Sequence, residues 1–151
     1  MDETGVFARE FPAIDRTVEV GVAAGRVISV SFSHSPPADA DPDHPVLDRI
    51  AAALAGDPDA DLAGVEVALT VPTDHRRVLE ATRQVPRGET ATLAQVAHMA
   101  NLDPDDEDDV ATVREALAEN PVPLLVPDHR VPDVPGATPT DVAEFLRDTE
   151  G

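Results

Sequence analysis

The stretch that most restricts this 151-residue chain is Asn120-Pro-Val-Pro-Leu-Leu-Val-Pro, in which Pro121, Pro123 and Pro127 interrupt an otherwise apolar run. A proline lacks the N–H that a helix interior or central strand needs, and it pushes the residue before it toward extended geometry. The segment is therefore expected to be extended, buried and rigid. Helices and strands have to be found on either side of it.

Upstream, residues 17–33 alternate apolar and polar positions on both sides of Ala24-Gly25. Val18, Val20 and Val22 share one face, and Ile28, Val30 and Phe32 form a second run of period two, which predicts an antiparallel hairpin. Residues 35–45 are rich in Pro and Asp and read as an exposed connection. Val46, Ile50, Ala53 and Leu54 then recur at helical spacing, with Gly56 and Asp57-Pro58 as a stop signal. Val65, Val67, Leu69 and Val71 alternate again and predict a third strand.

From Pro72 the texture becomes helical. Thr73 or Asp74 can cap a helix running to about Gln84, with Val78, Leu79 and Thr82 inward, before Pro86 and Gly88 end it. Thr92 followed three residues later by Gln95 is a capping-box signature, announcing a short helix that buries Leu93, Val96, Ala97 and Ala100. A third helix is expected over about 106–118, burying Val110, Val113, Ala116 and Leu117. A last one begins near Thr138-Pro139, with proline at its first position and Val142, Phe145 and Leu146 inward. The fold class is mixed α/β (α+β), with an N-terminal sheet-and-helix domain over 1–71 and a C-terminal helix-turn-helix domain over 72–151.

Composition limits the chemistry. No cysteine is present, which excludes disulfides, thiolate metal sites and a cysteine nucleophile. His34, His44, His75 and His98 lack the close spacing of a zinc site, so no metal is expected. No Gly-rich phosphate loop or nucleotide fingerprint occurs, and no cofactor is expected. The N-terminus lacks a cationic segment followed by an apolar run, and no stretch approaches the roughly 18 apolar residues of a membrane span. A soluble cytoplasmic monomer with no membrane partner is the expectation.

Thirty acidic side chains face eleven basic ones, for a formal charge of -19, and every basic residue is arginine. This bias resembles that of proteins from salt-in halophilic archaea, whose surfaces are acidic whatever they bind. At molar salt the Debye length is about 3 Å, so local arginine placement says more than net charge. Residues 75–87 hold Arg76, Arg77, Arg83 and Arg87 against Glu80, which suits either a phosphate-contact strip or ordinary surface ion pairing. Residues 101–119 do the reverse, setting eight carboxylates against Arg114 alone. That sign opposes phosphate contact and suits a solvated face with acids at a helix N-terminus.

Two strings in this order, Val85-Pro-Arg-Gly-Glu-Thr-Ala-Thr-Leu-Ala-Gln-Val-Ala and Asn120-Pro-Val-Pro-Leu-Leu-Val-Pro-Asp-His-Arg-Val, resemble the 6-O-alkylguanine-DNA alkyltransferase family. That family reads I-P-x-G-E-x-x-(S/T)-Y-x-x-(I/L)-A and then N-P-(I/V)-P-x-x-(I/V)-P-C-H-R-V. The likeness covers residues 72–151 well and the first seventy weakly. It implies a ribonuclease H-like N-terminal sheet with helix and a winged-helix-like helix-turn-helix domain. Asp128 stands where the family has its alkyl-accepting cysteine, so the resemblance points to an alkyltransferase-like member without the nucleophile.

What the resemblance implies is a protein that binds double-stranded DNA, alkylated DNA included, extrudes the base and recruits another repair factor. It implies a pocket of Asn120, Asp128, His129, Arg130 and Glu150, with His129 and Glu150 in the positions of a proton relay. Arg76, Arg77, Arg83, Arg87 and Arg114 would contact phosphates, with Thr92 and Gln95 near the duplex. Leu93 replaces a tyrosine, Ala111 replaces an intercalating arginine, and residues 132–138 form a shorter loop than the family's. Two other readings stay open. Asp128 could itself accept an alkyl group as an ester that His129-activated water then hydrolyses, or the fold could serve as an interaction module that no longer binds DNA.

Overall fold

The computed structural model describes residues 4–35, 40–57, 59–60, 62 and 64–150. Three antiparallel strands, β1 (Gly5–Phe11), β2 (Arg16–Ala23) and β3 (Arg26–Ser33), form a sheet in sequence order, followed by α1 (Pro45–Leu54), α2 (Thr73–Arg83), α3 (Leu93–Met99), α4 (Glu107–Ala118) and α5 (Thr140–Glu150). The mixed α/β class expected from sequence holds, with the sheet N-terminal and the α2–α3–α4 helices C-terminal. No helix among the described residues is long and apolar enough to cross a membrane.

The predicted hairpin is β2–β3, closed by Ala24 (φ 53°) and Gly25 (φ 76°). Two successive positive φ values give the turn whose twist matches the strands. Val18, Val20 and Val22 are buried as expected, but β3 departs from its pattern. The register shifts at Gly21/Val22, so Val27 pairs with Val22 while Ser29 pairs with Gly21. This bulge buries Val27 and Val30 and leaves Ile28 42% exposed, correcting the simple alternation Ile28–Val30–Phe32.

The third strand expected over 65–71 does not form. Val67 makes one parallel bridge to Val27, through Val27 N–H to the Glu66 carbonyl (3.0 Å) and Ala68 N–H to the Val27 carbonyl (2.9 Å). The third strand of the sheet is instead β1, paired with β2 along its whole length. Residues 36–39 of the predicted connection, and Pro58 of the stop signal, lie outside the described residues. Arg9 donates to the Pro42 carbonyl (2.7 Å) and pairs with Asp48 (3.0 Å).

The helices follow their caps, with two corrections. Thr92 and Gln95 form the predicted capping box, and Asp106 caps α4 by accepting the N–H groups of Asp108 and Asp109. Neither Thr73 nor Asp74 caps α2, because Thr73 is already helical and Pro72 precedes it without a side-chain cap. Pro139 lies one residue before α5, where its carbonyl takes the Ala143 N–H at 2.8 Å.

Residues 120–127 are buried as expected but not straight. Leu124 turns the chain with φ 75°, and Val126 N–H returns to the Val122 carbonyl at 2.9 Å. The resulting knot inserts Val122, Leu124, Leu125 and Val126 into a core shared by the sheet, α1, Leu79 of α2, and Val142 and Leu146 of α5. The Val30 N–H reaches across to the Pro121 carbonyl (2.8 Å), which holds the knot against the sheet. A second core unites α2, α3 and α4 with Val131 and Val134.

Candidate functional site

The chain just beyond the knot carries the polar cluster. A single 3-10 turn over Asp128–Arg130 presents three consecutive side chains, and each is held by a different part of the fold. Asp128 is 2% exposed. Its Oδ2 accepts from Asn120 Nδ2 (3.0 Å), the Ala137 N–H (3.0 Å) and the Thr138 N–H (3.3 Å). Asn120, at the end of α4, also donates to the Val126 carbonyl (3.1 Å) and accepts the Val122 N–H (3.0 Å), so one side chain ties the knot to the carboxylate. Burial raises the Asp128 pKa above 3.8, opposed by hydrogen bonds from Thr138 and Asn120 and by the charge on His129.

His129 and Arg130 converge on Glu150, near the end of α5. His129 Nε2 lies 2.9 Å from Glu150 Oε2, while Arg130 grips both carboxylate oxygens, Nε to Oε1 at 3.0 Å and Nη2 to Oε2 at 2.9 Å. This two-pronged geometry matches a guanidinium to a carboxylate. Burial alone would raise the Glu150 pKa, but hydrogen bonds from His129 and Arg130, with their charges, outweigh it and bring it down to about 2. Arg130 further donates to the Val85 carbonyl (2.9 Å), and its own carbonyl takes the Ala91 N–H (2.8 Å), so the cluster is fastened to the α2–α3 connection.

The structure thus brings Asn120, Asp128, His129, Arg130 and Glu150 together. Asp128 and His129 line a half-open cavity of about 280 Å³ together with residues 132–136, Thr138 and Arg147. Asp128 Oδ1, His129 Nδ1 and Thr138 Oγ1 are buried and make no hydrogen bond. Arg147, which sequence reasoning missed, donates to the His129 carbonyl at 3.0 Å. Its signal was its place one turn before Glu150 on the face of α5 that carries Leu146. Among the described residues no group of three His, Asp or Glu side chains could hold a metal ion.

The arginines separate into two kinds. Arg83 is turned inward, donating to the carbonyls of Leu125 (3.1 Å), Leu62 (3.2 Å) and Val65 (2.9 Å), so it staples the knot to the 62–65 segment and is not presented to phosphate. Arg76 is exposed and donates to the Leu69 carbonyl at 2.6 Å, Arg77 and Arg114 are exposed, and Arg87 is half-buried. Arg26, from the hairpin turn, was missed by sequence reasoning and lines one cavity with Arg76 and Arg83. Thr92 and Gln95 are exposed, and each is engaged in the other's cap, Gln95 Oε1 taking the Thr92 N–H at 2.8 Å and Thr92 Oγ1 the Gln95 N–H at 3.1 Å. Several carboxylates near α4 are occupied locally: Asp109 takes the Asp103 N–H (2.7 Å) and Asp103 the Asp105 N–H (2.8 Å).

Comparison with known proteins identifies the helical part. Residues 73–143 match the family model described as 6-O-methylguanine DNA methyltransferase, DNA binding domain. A methylated-DNA–protein-cysteine methyltransferase of Methanothermobacter thermautotrophicus is 41% identical over 56 residues, which cover 37% of this chain and 28% of that protein. The chain spans half or less of the length of the curated relatives it matches. The Mycobacterium tuberculosis O6-methylguanine methyltransferase superposes with a TM-score of 0.73 at 21% identity, covering 97% of this chain and 93% of that one. Mycobacterium tuberculosis OGT in complex with DNA superposes with a TM-score of 0.66 at 21% identity, covering 83% of this chain and 77% of that one. These likenesses establish the alkyltransferase fold over nearly the whole chain, and residues 73–143 match the DNA binding domain of the 6-O-methylguanine DNA methyltransferase family, in a chain that contains no cysteine.

Proposed function

We propose that this protein is a non-enzymatic, alkyltransferase-like DNA-binding protein that recognises alkylated guanine in double-stranded DNA and assists its repair, acting as a cytoplasmic monomer that hands the lesion to a repair-protein partner. The observation that carries this reading is the state of Asp128, which occupies the position of the acceptor cysteine in the family motif. Its Oδ2 is saturated by three N–H donors and the residue is 2% exposed. A carboxylate so buried has no open access to an alkyl carbon, although its Oδ1 is unpartnered, and carboxylates are weaker nucleophiles than thiolates. Around it, the Asn120 bracket and the His129–Arg130–Glu150 network keep the pocket's frame intact.

Phosphate contact falls to the exposed Arg76 and Arg77 with Arg87, helped by Arg114. Thr92 and Gln95 present the N-terminus of α3 toward the duplex. The test is binding of the purified protein to matched duplexes with and without one 6-O-methylguanine over a salt series, followed by mass analysis of both partners. Selective binding with both masses unchanged is expected. Loss of the methyl from DNA, with Asp128 esterified or water-regenerated, would replace this reading with the enzymatic one. Absence of binding at every salt concentration would favour the interaction module, a reading that the eight carboxylates of 101–119 support.

A further inference from the structure

The 132–138 loop is pinned on both flanks. Near its start the two oxygens of Asp133 take the Leu93 N–H at 3.1 and 3.2 Å. At its end the loop sits on Asp128, whose Oδ2 accepts from Ala137 and Thr138, and the Ala137 N–H is shared with the Leu117 carbonyl at 3.0 Å. Gly136 crosses so closely that a Cβ built there would lie 2.6 Å from Asp128 Cγ. The loop and the carboxyl are therefore fitted to each other, and together they form one wall of the cavity.

We propose that Asp128 is a positioning residue whose carboxyl latches the 132–138 loop shut over the cavity, so that a base enters only after the Ala137 and Thr138 N–H groups release Oδ2. This rests on the reading of that cavity as the base pocket. A cysteine at the same position could not do it, since a thiol sulfur is a weak acceptor with no second oxygen to spare. The residue type that removes the nucleophile thus installs the latch.

Burial makes the latch sensitive to pH. The Asp128 pKa is raised in the closed loop, first by burial and against the hydrogen bonds from Thr138 and Asn120 and the charge on His129. A group that holds its proton more tightly in the closed state stabilises that state below its pKa and ceases to do so as pH rises through it. The three N–H contacts to Oδ2 favour the ionised form, and burial, with Oδ1 left unpartnered, outweighs them. The charged groups around Asp128 are His129 and Arg130 on its own turn, Asp133 in the loop, and Arg147 and Glu150 from α5. From α4 comes the Leu117 carbonyl, and from just beyond its end the neutral Asn120 side chain.

Hydrogen exchange of the full chain at fixed salt, read at the Ala137 and Thr138 amides and corrected for intrinsic rates, tests this. Amides of β2 serve as the control for global unfolding. Wild-type protection is expected to be highest at the acid end and to fall with rising pH, about tenfold for each unit by which the closed-state pKa exceeds the open one. Asp128→Asn, which keeps the acceptor oxygen and cannot ionise, should hold the acid-end protection at all pH values. Asp128→Ala should lose about tenfold throughout, and Gly136→Ala, whose Cβ collides with the Asp128 carboxyl and forces the loop off it while leaving the carboxyl in place, should lose it likewise. Protection at these amides that ignores pH in the wild type, or that survives Asp128→Ala, overturns the proposal. If the latch behaves as expected while no duplex binds, the DNA-binding reading fails and the latch stands; if a lesion duplex binds while protection does not move, the reverse holds.

Discussion

Replacing Glu150 with Gln should destabilise the protein by about 2–3 kcal/mol at neutral pH. The carboxylate receives two hydrogen bonds from Arg130 and one from His129, with its side chain 8% exposed. Its pKa falls from 4.5 to about 2, which at about 1.4 kcal/mol per unit sets an upper figure of about 3 kcal/mol. The open end of the site screens part of this, giving the lower figure. Breaking a buried pair by removing one partner generally costs about 3–5 kcal/mol, because the remaining charge is stranded, so the two routes agree in scale. The stabilisation is fully present above the unfolded-state pKa of 4.5 and is lost as pH falls through about 2. Urea denaturation of both proteins at constant salt should therefore show a gap that is constant from pH 8 to about pH 5 and closes toward pH 2. A gap under about 0.5 kcal/mol at neutral pH, or one that persists undiminished below the folded pKa, would refute the reasoning.

Other parts of the cluster make separable demands. Asn120→Ala should cost about 2–3 kcal/mol, measured by thermal or urea unfolding, because it strands the Val126 carbonyl and removes one donor from Asp128. Arg83→Ala should cost a comparable amount, since three carbonyls lose their donor, yet leave the salt dependence of DNA binding unchanged. Arg77→Ala should do the opposite, moving stability by less than about 0.5 kcal/mol while reducing the slope of log affinity against log salt by about 0.9. Thr92→Ala should lose about 1 kcal/mol through the broken capping box, seen as faster exchange in the first turn of α3.

What was legible in the sequence was local. Thr92 with Gln95 announced α3 because each caps the other across three residues, and Ala24-Gly25 announced the hairpin because only a tight turn joins two runs of period two. The polar cluster was legible through the family motif rather than through any spacing. What escaped depended on distant partners. The strand β1 buries Ala8 and Phe11 with Arg9 and Glu10 between them, a pattern with no period of two, and it is a strand because β2 offers it an edge. The bulge at Gly21/Val22 exchanged Ile28 for Val27, which no count along β3 could foresee. Arg83 looked like one more surface cation, although its place four residues after the buried Leu79 already turned it toward the core.

The acidity of the chain becomes intelligible at the same level. Asp106 caps α4, Asp109 and Asp103 close the turn before it, and Asp133 ties the 132–138 loop to α3. Each carboxylate accepts backbone N–H groups that a nearby helix or loop would otherwise leave unsatisfied, and such bonds to an ionised acceptor are roughly twice as strong as neutral ones. A surface rich in Asp can thus rigidify the loops around a helix-turn-helix even where salt screens longer-range fields to a few ångströms. The same choice sets the direction from which a duplex can be approached. Residues 101–119 repel phosphate at contact, whereas Arg76 and Arg77 on α2 have no carboxylate within ion-pair distance among the described residues. On the proposed DNA-binding reading, binding energy would then come from the α2 side, with the α3 N-terminus as the bridge between those arginines and the proposed pocket.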